Sequence, residues 1–124
     1  MRPIWNPSKA KAEAGRRGEA LAKSAYQRAG YEVLANNYRC GHYEIDLILR
    51  EKRTGTVVFC EVKARSAGTR AFPREAVGQT KQSYLRRAAQ QFLIERELTG
   101  VPCRFDVAEV WLDVNKTELI ENAF

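Results

Sequence analysis

The tripeptide Glu61-Val62-Lys63 ends the apolar run Val57-Val58-Phe59-Cys60 with two charges one residue apart. Side chains two apart on a strand point to the same face, so Glu61 and Lys63 share one surface. Burying an isolated charge is costly; either the strand surfaces there or the charges meet a partner or a metal. Glu44 and Asp46 repeat the spacing on a preceding segment, and neighbouring strands lie about 4.8 Å apart. Three carboxylates and a lysine thereby come within reach of one another. Phosphodiester hydrolysis uses that mixture. Hard oxygen ligands such as Asp46 and Glu61 suit Mg²⁺, the metal acidifies a bound water, and a lysine orients that water or stabilises the developing oxyanion. The competing reading is a plain surface ion pair between Glu61 and Lys63 on an edge strand.

Residues 1–10 hold two prolines and no periodicity, which predicts a flexible N-terminal arm ahead of one folded unit over 11–124. Ala14, Leu21, Ala22, Ala25 and Ala29 recur near helical spacing, so a helix is expected from Lys11 to Ala29, stopped by Gly30. Strand formers over 31–39, 44–49 and 56–63, joined by short turns, predict a meander of three strands. Ala64 to Arg74 reads as a loop, where Arg65, Arg70 and Arg74 are placed either to follow a nucleic-acid backbone or simply to face water. Apolar residues from Ala76 to Leu93 at helical spacing predict a second helix over Glu75–Leu98, with Gly78 as a weak point. Cys103 to Leu112 alternates as a fourth strand, and Glu118 to Glu121 adds a short fifth. The expected class is α/β, a mixed central sheet flanked by helices.

Composition removes other chemistries. With one histidine among 124 residues, zinc-protease motifs and serine triads lack parts. Three cysteines with no C-x-x-C spacing suggest neither a disulfide framework nor a zinc site. No apolar run approaches the roughly 18 residues of a membrane span. No signal-peptide pattern begins the chain, so no membrane partner and a cytoplasmic location are expected. Lys and Arg total 21 against 15 Asp and Glu, a net charge of +6 made of 14 Arg and 7 Lys. The planar guanidinium fork suits phosphate oxygens, so the bias leans towards nucleic acid; a solvated basic surface is the bland alternative.

Asp46, fourteen residues, then Glu61-x-Lys63 resembles the D-(x)n-E-x-K core of the PD-(D/E)XK nuclease superfamily, whose restriction-endonuclease-like three-layer fold has the order α-β-β-β-α-β. More closely, the chain resembles the YraN-like bacterial family, related to archaeal Holliday-junction resolvases. The matching blocks are Gly18-Glu19-Ala20, Asn37-Tyr38-Arg39, Glu44 to Ile48, Val58 to Arg65, Cys103 to Val107 and the closing Asn122-Ala123-Phe124. Two positions depart from the family pattern: Tyr43 stands where a glycine is usual, and Cys60 where an aliphatic residue is usual. The resemblance implies a site of Glu19, Asp46, Glu61 and Lys63, with Glu19, Asp46 and Glu61 as ligands of Mg²⁺ or Mn²⁺. It also implies Gln79 or Lys81 beside the phosphate. The expected activity is metal-dependent endonucleolytic hydrolysis of nucleic acid, DNA first and branched or damaged DNA within it. Rival expectations are a non-catalytic nucleic-acid-binding module and a protein-interaction subunit on the same fold, and a homodimer stays open.

Overall fold

The computed structural model describes residues 7–65 and 78–124, with side chains from residue 12 onward. Along the chain run α1 (Pro7–Arg28), β1 (Tyr31–Cys40), β2 (Tyr43–Glu51), β3 (Val57–Arg65), α2 (Gln79–Glu95), β4 (Cys103–Trp111) and β5 (Lys116–Ile120). The strands form one sheet in the order β1-β2-β3-β4-β5. β3 and β4 are parallel and every other neighbouring pair is antiparallel. Parallel neighbours need a crossover, and α2 lies in the one between them.

Successive side chains of β3 feed two separate cores. Val57 and Phe59 pack with Leu85, Ala88 and Phe92 of α2, whereas Val58 and Cys60 pack with Ala22 and Tyr26 of α1. Each helix therefore covers one face of the sheet, giving three layers. A strand covered on both faces reads as a continuous apolar run, which is why 57–60 shows no alternation in sequence.

Several boundaries differ from expectation. α1 begins at Pro7 rather than Lys11, because proline in a first helical turn loses no hydrogen bond and its fixed φ suits a helix. Gly78 precedes α2 as its extended N-cap (φ −60°, ψ 152°) instead of weakening its interior. The fifth strand lies over Lys116–Ile120, slightly ahead of the predicted 118–121. Of the expected 64–74 loop, Ala64 and Arg65 belong to β3, while Arg70 and Arg74 lie outside the described residues. No helix among the described residues is long and apolar enough to cross a membrane.

Two contacts fix α1 over the sheet. Tyr26 Oη donates to Asp106 Oδ2 at 2.8 Å, and Asp106, wholly buried, also accepts from Arg104 Nε at 3.0 Å and from the Asn122 backbone N–H at 3.2 Å. A buried carboxylate with this many donors escapes the large penalty of an unpaired one. Further along the helix, Gly18 lies against the end of β3, where a Cβ would stand 2.8 Å from Ala64 Cβ. Glu19, Ala22 and Tyr26 follow at i, i+3 and i+7, a spacing that keeps them on one helix face. Glu19 is thereby turned towards the sheet and half-buried.

Gly18→Ala should test this close approach. Overpacking costs roughly 1–3 kcal/mol and helix propensity returns up to about 1, so a net loss of about 1–2 kcal/mol is expected in urea unfolding. A variant as stable as the wild type would show that α1 does not need to touch β3 there.

Candidate metal centre at a fork between two strands

β2 and β3 pair only as far as Leu47↔Cys60. Past that rung β2 continues with β1 to Cys40↔Tyr43, and β3 continues with β4 to Arg65↔Trp111. The sheet opens there into a fork. Asp46 sits at its base, where Oδ2 accepts the Val62 backbone N–H at 2.8 Å. A side-chain oxygen thus takes the place of the carbonyl that a continuing ladder would have offered.

The pleat breaks at the same point. Ile45 packs in the α2 core and Leu47 in the α1 core, although residues two apart on a regular strand share a face. On the other side of β2 the pairing passes from Asn36↔Leu47 to Tyr38↔Ile45, which leaves Asn37 opposite Asp46. Asn37 has left-handed backbone, φ 50°, a conformation asparagine tolerates better than most residues.

Around this base the acids gather. Carboxylate oxygens of Glu19, Glu44 and Asp46 all lie within 4.8 Å of one another. With its amide nitrogen turned towards them, Asn37 donates to Glu19 Oε1 at 3.1 Å and to Glu44 Oε1 at 2.8 Å. Arg39 Nε lies 3.4 Å from Glu44 Oε2. Glu61 is 5 % exposed; its Oε2 meets Lys81 Nζ at 2.8 Å, and its buried Oε1 has no hydrogen-bond partner among the described residues.

Electrostatics tie these residues into one unit. Burial first, then the Glu61 charge, push the Asp46 carboxyl up to about 7, against the opposing pull of the Val62 N–H; Glu19 and Glu44 add to the rise. Burial also raises Glu19 above its ordinary value, opposed by the Asn37 hydrogen bond, with Glu44 and Glu61 reinforcing the rise. Like charges and lost hydration together make the fully ionised cluster expensive. Hard oxygen donors at this spacing fit a divalent cation such as Mg²⁺ or Mn²⁺, which would relieve both costs.

Glu19 and Asp46 are therefore brought together with Glu44, while Glu61 stands outside that group of three and is near enough to act on Asp46 and Glu19 electrostatically. The Glu44/Asp46 spacing is visible in the sequence, but Glu44 was not among the expected ligands. Lys63 is half-buried on the α2 side of β3, the side that Glu61 shares. Opposite Lys63 in register on β4 stands Glu109, 1 % exposed and not among the expected site residues. The sequence signal for it is an acid in the middle of an apolar strand. Asn37 lies within a matching block without a role there, and only the register gives it one. Gln79 is the exposed first residue of α2. Lys81, expected beside a phosphate, pairs with Glu61. Arg65 is half-buried at the end of β3, where its carbonyl accepts the Leu112 N–H at 2.8 Å.

A five-stranded mixed sheet between helical layers, in the order α-β-β-β-α-β-β with its acids at the fork, defines the restriction-endonuclease-like class of fold. The model of uncharacterised protein family UPF0102 matches residues 18–110. The chain belongs to that family, the YraN-like group of its sequence resemblance. It is 39% identical over 118 residues to a UPF0102 protein of Caldicellulosiruptor saccharolyticus, covering 92% of this chain and 98% of that one. It is 42% identical over 114 residues to one of Moorella thermoacetica, covering 89% and 93%. Among solved structures it is similar to Pyrococcus furiosus SfsA in complex with Ca²⁺, with a TM-score of 0.34 and 14% identity. That match covers 90% of this chain and spans 63% of the SfsA chain.

Asp46 should weigh on stability when no metal is added. Its folded-state value lies above its unfolded one, so its cost is absent below about pH 4, grows between about 4 and 7, and is full above that. Asp46→Asn keeps an oxygen for Val62 and removes the charge. In EDTA at pH 8 it should be more stable by about 2 kcal/mol, the full conversion being discounted for partial exposure. The gain should shrink as the pH falls towards 4. Equal stability across that range in urea unfolding would mean that the cluster is not electrostatically loaded.

Proposed function

We propose that this protein is a metal-dependent phosphodiesterase that cuts nucleic acid, with DNA as the substrate favoured by the sequence resemblance. The observation that carries the reading is the convergence at the strand fork. Glu19, Glu44 and Asp46 offer oxygens within 4.8 Å of one another, and the nearly buried Glu61 beside them has an oxygen without a hydrogen bond among the described residues. A cluster of acids at a helix end or in a solvated loop is common and means little. This one lies where a strand pair has been opened, at a cost in backbone pairing that a purely structural site has no reason to bear.

Asp46 and Glu61, with Glu19 and Glu44, would hold Mg²⁺ or Mn²⁺. Bound there, the metal supplies an acidified water and neutralises phosphate charge. The Lys63 ammonium, on the face it shares with Glu61, donates to a non-bridging phosphate oxygen as charge develops on it. Glu109, opposite Lys63 in register on β4, gives that ammonium an acidic neighbour. Lys81 neutralises Glu61 and would compete with a bound metal for its carboxylate. Exposed arginines of a chain with net charge +6 would hold the phosphate backbone without reading its sequence.

The test is cleavage of a panel of single-stranded, duplex, gapped and four-way-junction substrates with Mg²⁺, with Mn²⁺ and with EDTA. Wild-type protein should cut at least one of them only when metal is present. Lys63→Ala should lower turnover by at least about a hundredfold while changing affinity little, since it removes a contact made mainly in the transition state. Asp46→Asn should also lose cleavage. If the wild type binds but never cuts, or both variants cut as fast as it does, the non-catalytic binding module replaces the enzyme.

Binding itself should fall steeply with salt, by about 10³-fold or more between 50 and 200 mM if six or more phosphates are contacted. Fluorescence anisotropy on a labelled oligonucleotide reads this directly. No affinity at 50 mM salt would remove both nucleic-acid readings and leave the protein-interaction subunit.

A further inference from the structure

Tyr43 and Tyr84 lie beside the carboxylates and are not used by them. Their rings stack at 3.9 Å between centroids and 11° between planes. Tyr43 opens β2 and is the residue immediately before Glu44. Tyr84 is on α2 one turn after Lys81, on the helix face of the residue that pairs with Glu61. Tyr43 is thus placed by the strand that carries Glu44 and Asp46, and Tyr84 by the helix whose Lys81 pairs with Glu61. Tyr84 is 37 % exposed, and the Arg87 guanidinium stands 5.7 Å from its ring centroid.

A groove of about 430 Å³ runs over the pair, lined by Cys40, Gly41, His42, Tyr43, Tyr84 and Arg87. A smaller hollow of about 190 Å³ shares Gly41, His42 and Tyr43 with it and ends on Arg39 and Glu44. Tyr43 thus lines both hollows, and the smaller one reaches Glu44, one of the carboxylates. The aromatic lining is a pair of stacked planar rings, and the rim is cationic, through Arg39 and Arg87. A planar, electron-rich group attached to an anionic chain matches both features. A nucleobase on its sugar-phosphate backbone is such a group, and base-on-tyrosine stacking with arginine alongside is sequence-tolerant.

We infer that this groove is a stacking shelf for one unpaired nucleobase of the nucleotide next to the phosphate held at the carboxylates. Resting on the nucleic-acid reading above, it narrows the substrate to strands with an unpaired base at the cut: single strands, gaps, flaps. A base still paired inside a duplex has both faces covered by its neighbours and cannot lay one on Tyr84 without leaving the stack. The hairpin turn between β1 and β2 needs no aromatic residue for its own geometry, and Gly41 with φ 62° already makes it.

The experiment uses the full chain in EDTA, so that no cleavage is required. The probe is an oligonucleotide carrying 2-aminopurine, whose fluorescence is quenched on aromatic stacking, presented single-stranded, opposite a gap, or fully paired. Wild-type protein should quench the unpaired probe and bind it about tenfold or more tightly than the paired one, the scale of one stacked base. Tyr84→Leu should lose both the quenching and the preference while keeping its affinity for paired duplex; Tyr84→Phe should keep them. If the wild type binds without quenching, or binds paired and unpaired probes equally, the shelf is overturned, whether or not any variant folds. Preference and quenching that survive in a folded Tyr84→Leu protein overturn it equally. Quenching in a protein that cuts nothing with any metal would support the shelf and refute the hydrolytic reading alone.

Discussion

One hydrogen bond organises the candidate site: Asp46 Oδ2 accepting the Val62 N–H at 2.8 Å. A sheet that separates two of its strands must find partners for the backbone groups it exposes, or bear their desolvation. Here a side chain from one arm of the fork caps the other arm. The fork can then open without an orphaned donor at Val62, and the space gained is where carboxylates from α1 and β2 meet, with Glu61 of β3 acting on them electrostatically. Asp46 is consequently both a structural plug and a negatively charged group, and the two roles conflict. The plug works best as a charged acceptor, and the burial that comes with it makes the charge expensive.

That conflict explains the company Asp46 keeps. Asn37 lends its amide to Glu19 and Glu44, Arg39 approaches Glu44 from the exposed side, and Lys81 covers Glu61. Each neighbour relieves part of the repulsion, yet Asp46 stays raised and Glu61 keeps a buried oxygen with no hydrogen bond among the described residues. A chain under selection for stability alone would replace such a cluster by amides or apolar residues at little loss. Residual electrostatic strain at a broken strand pair is what the proposed metal would relieve.

The remainder of the molecule holds the fork rigid. β4 backs β3 over nine parallel rungs, so the arm bearing Glu61 and Lys63 does not follow β2 away. The buried Asp106, tied to Tyr26, Arg104 and the backbone of Asn122, locks α1 to β4 and to the chain's end. α1 then delivers Glu19 to a point its own sequence neighbours do not suggest. Close contact at Gly18 completes the docking, and it explains a glycine within a helix that propensity alone would disfavour.

Much of this was legible in the amino-acid sequence because it depends on local periodicity. Runs of strand formers mark every strand, and period-3.6 patterns mark both helices, to within a few residues. The Glu61-Val62-Lys63 triplet announces two charges sharing one face, since that follows from the pleat and nothing else. Proline at the start of α1 and glycine before α2 moved the boundaries, because end effects depend on single backbone groups rather than on a repeating pattern. Tertiary structure alone decided the partners. Asn37 faces Asp46 only through β1–β2 register, Glu109 faces Lys63 only through the parallel β3–β4 register, and Lys81 reaches Glu61 only because α2 crosses that face. The break in the pleat at Asp46 was invisible for a related reason. Alternation in a sequence reports which side of a strand each residue faces when the strand stays paired, and says nothing of where two strands part.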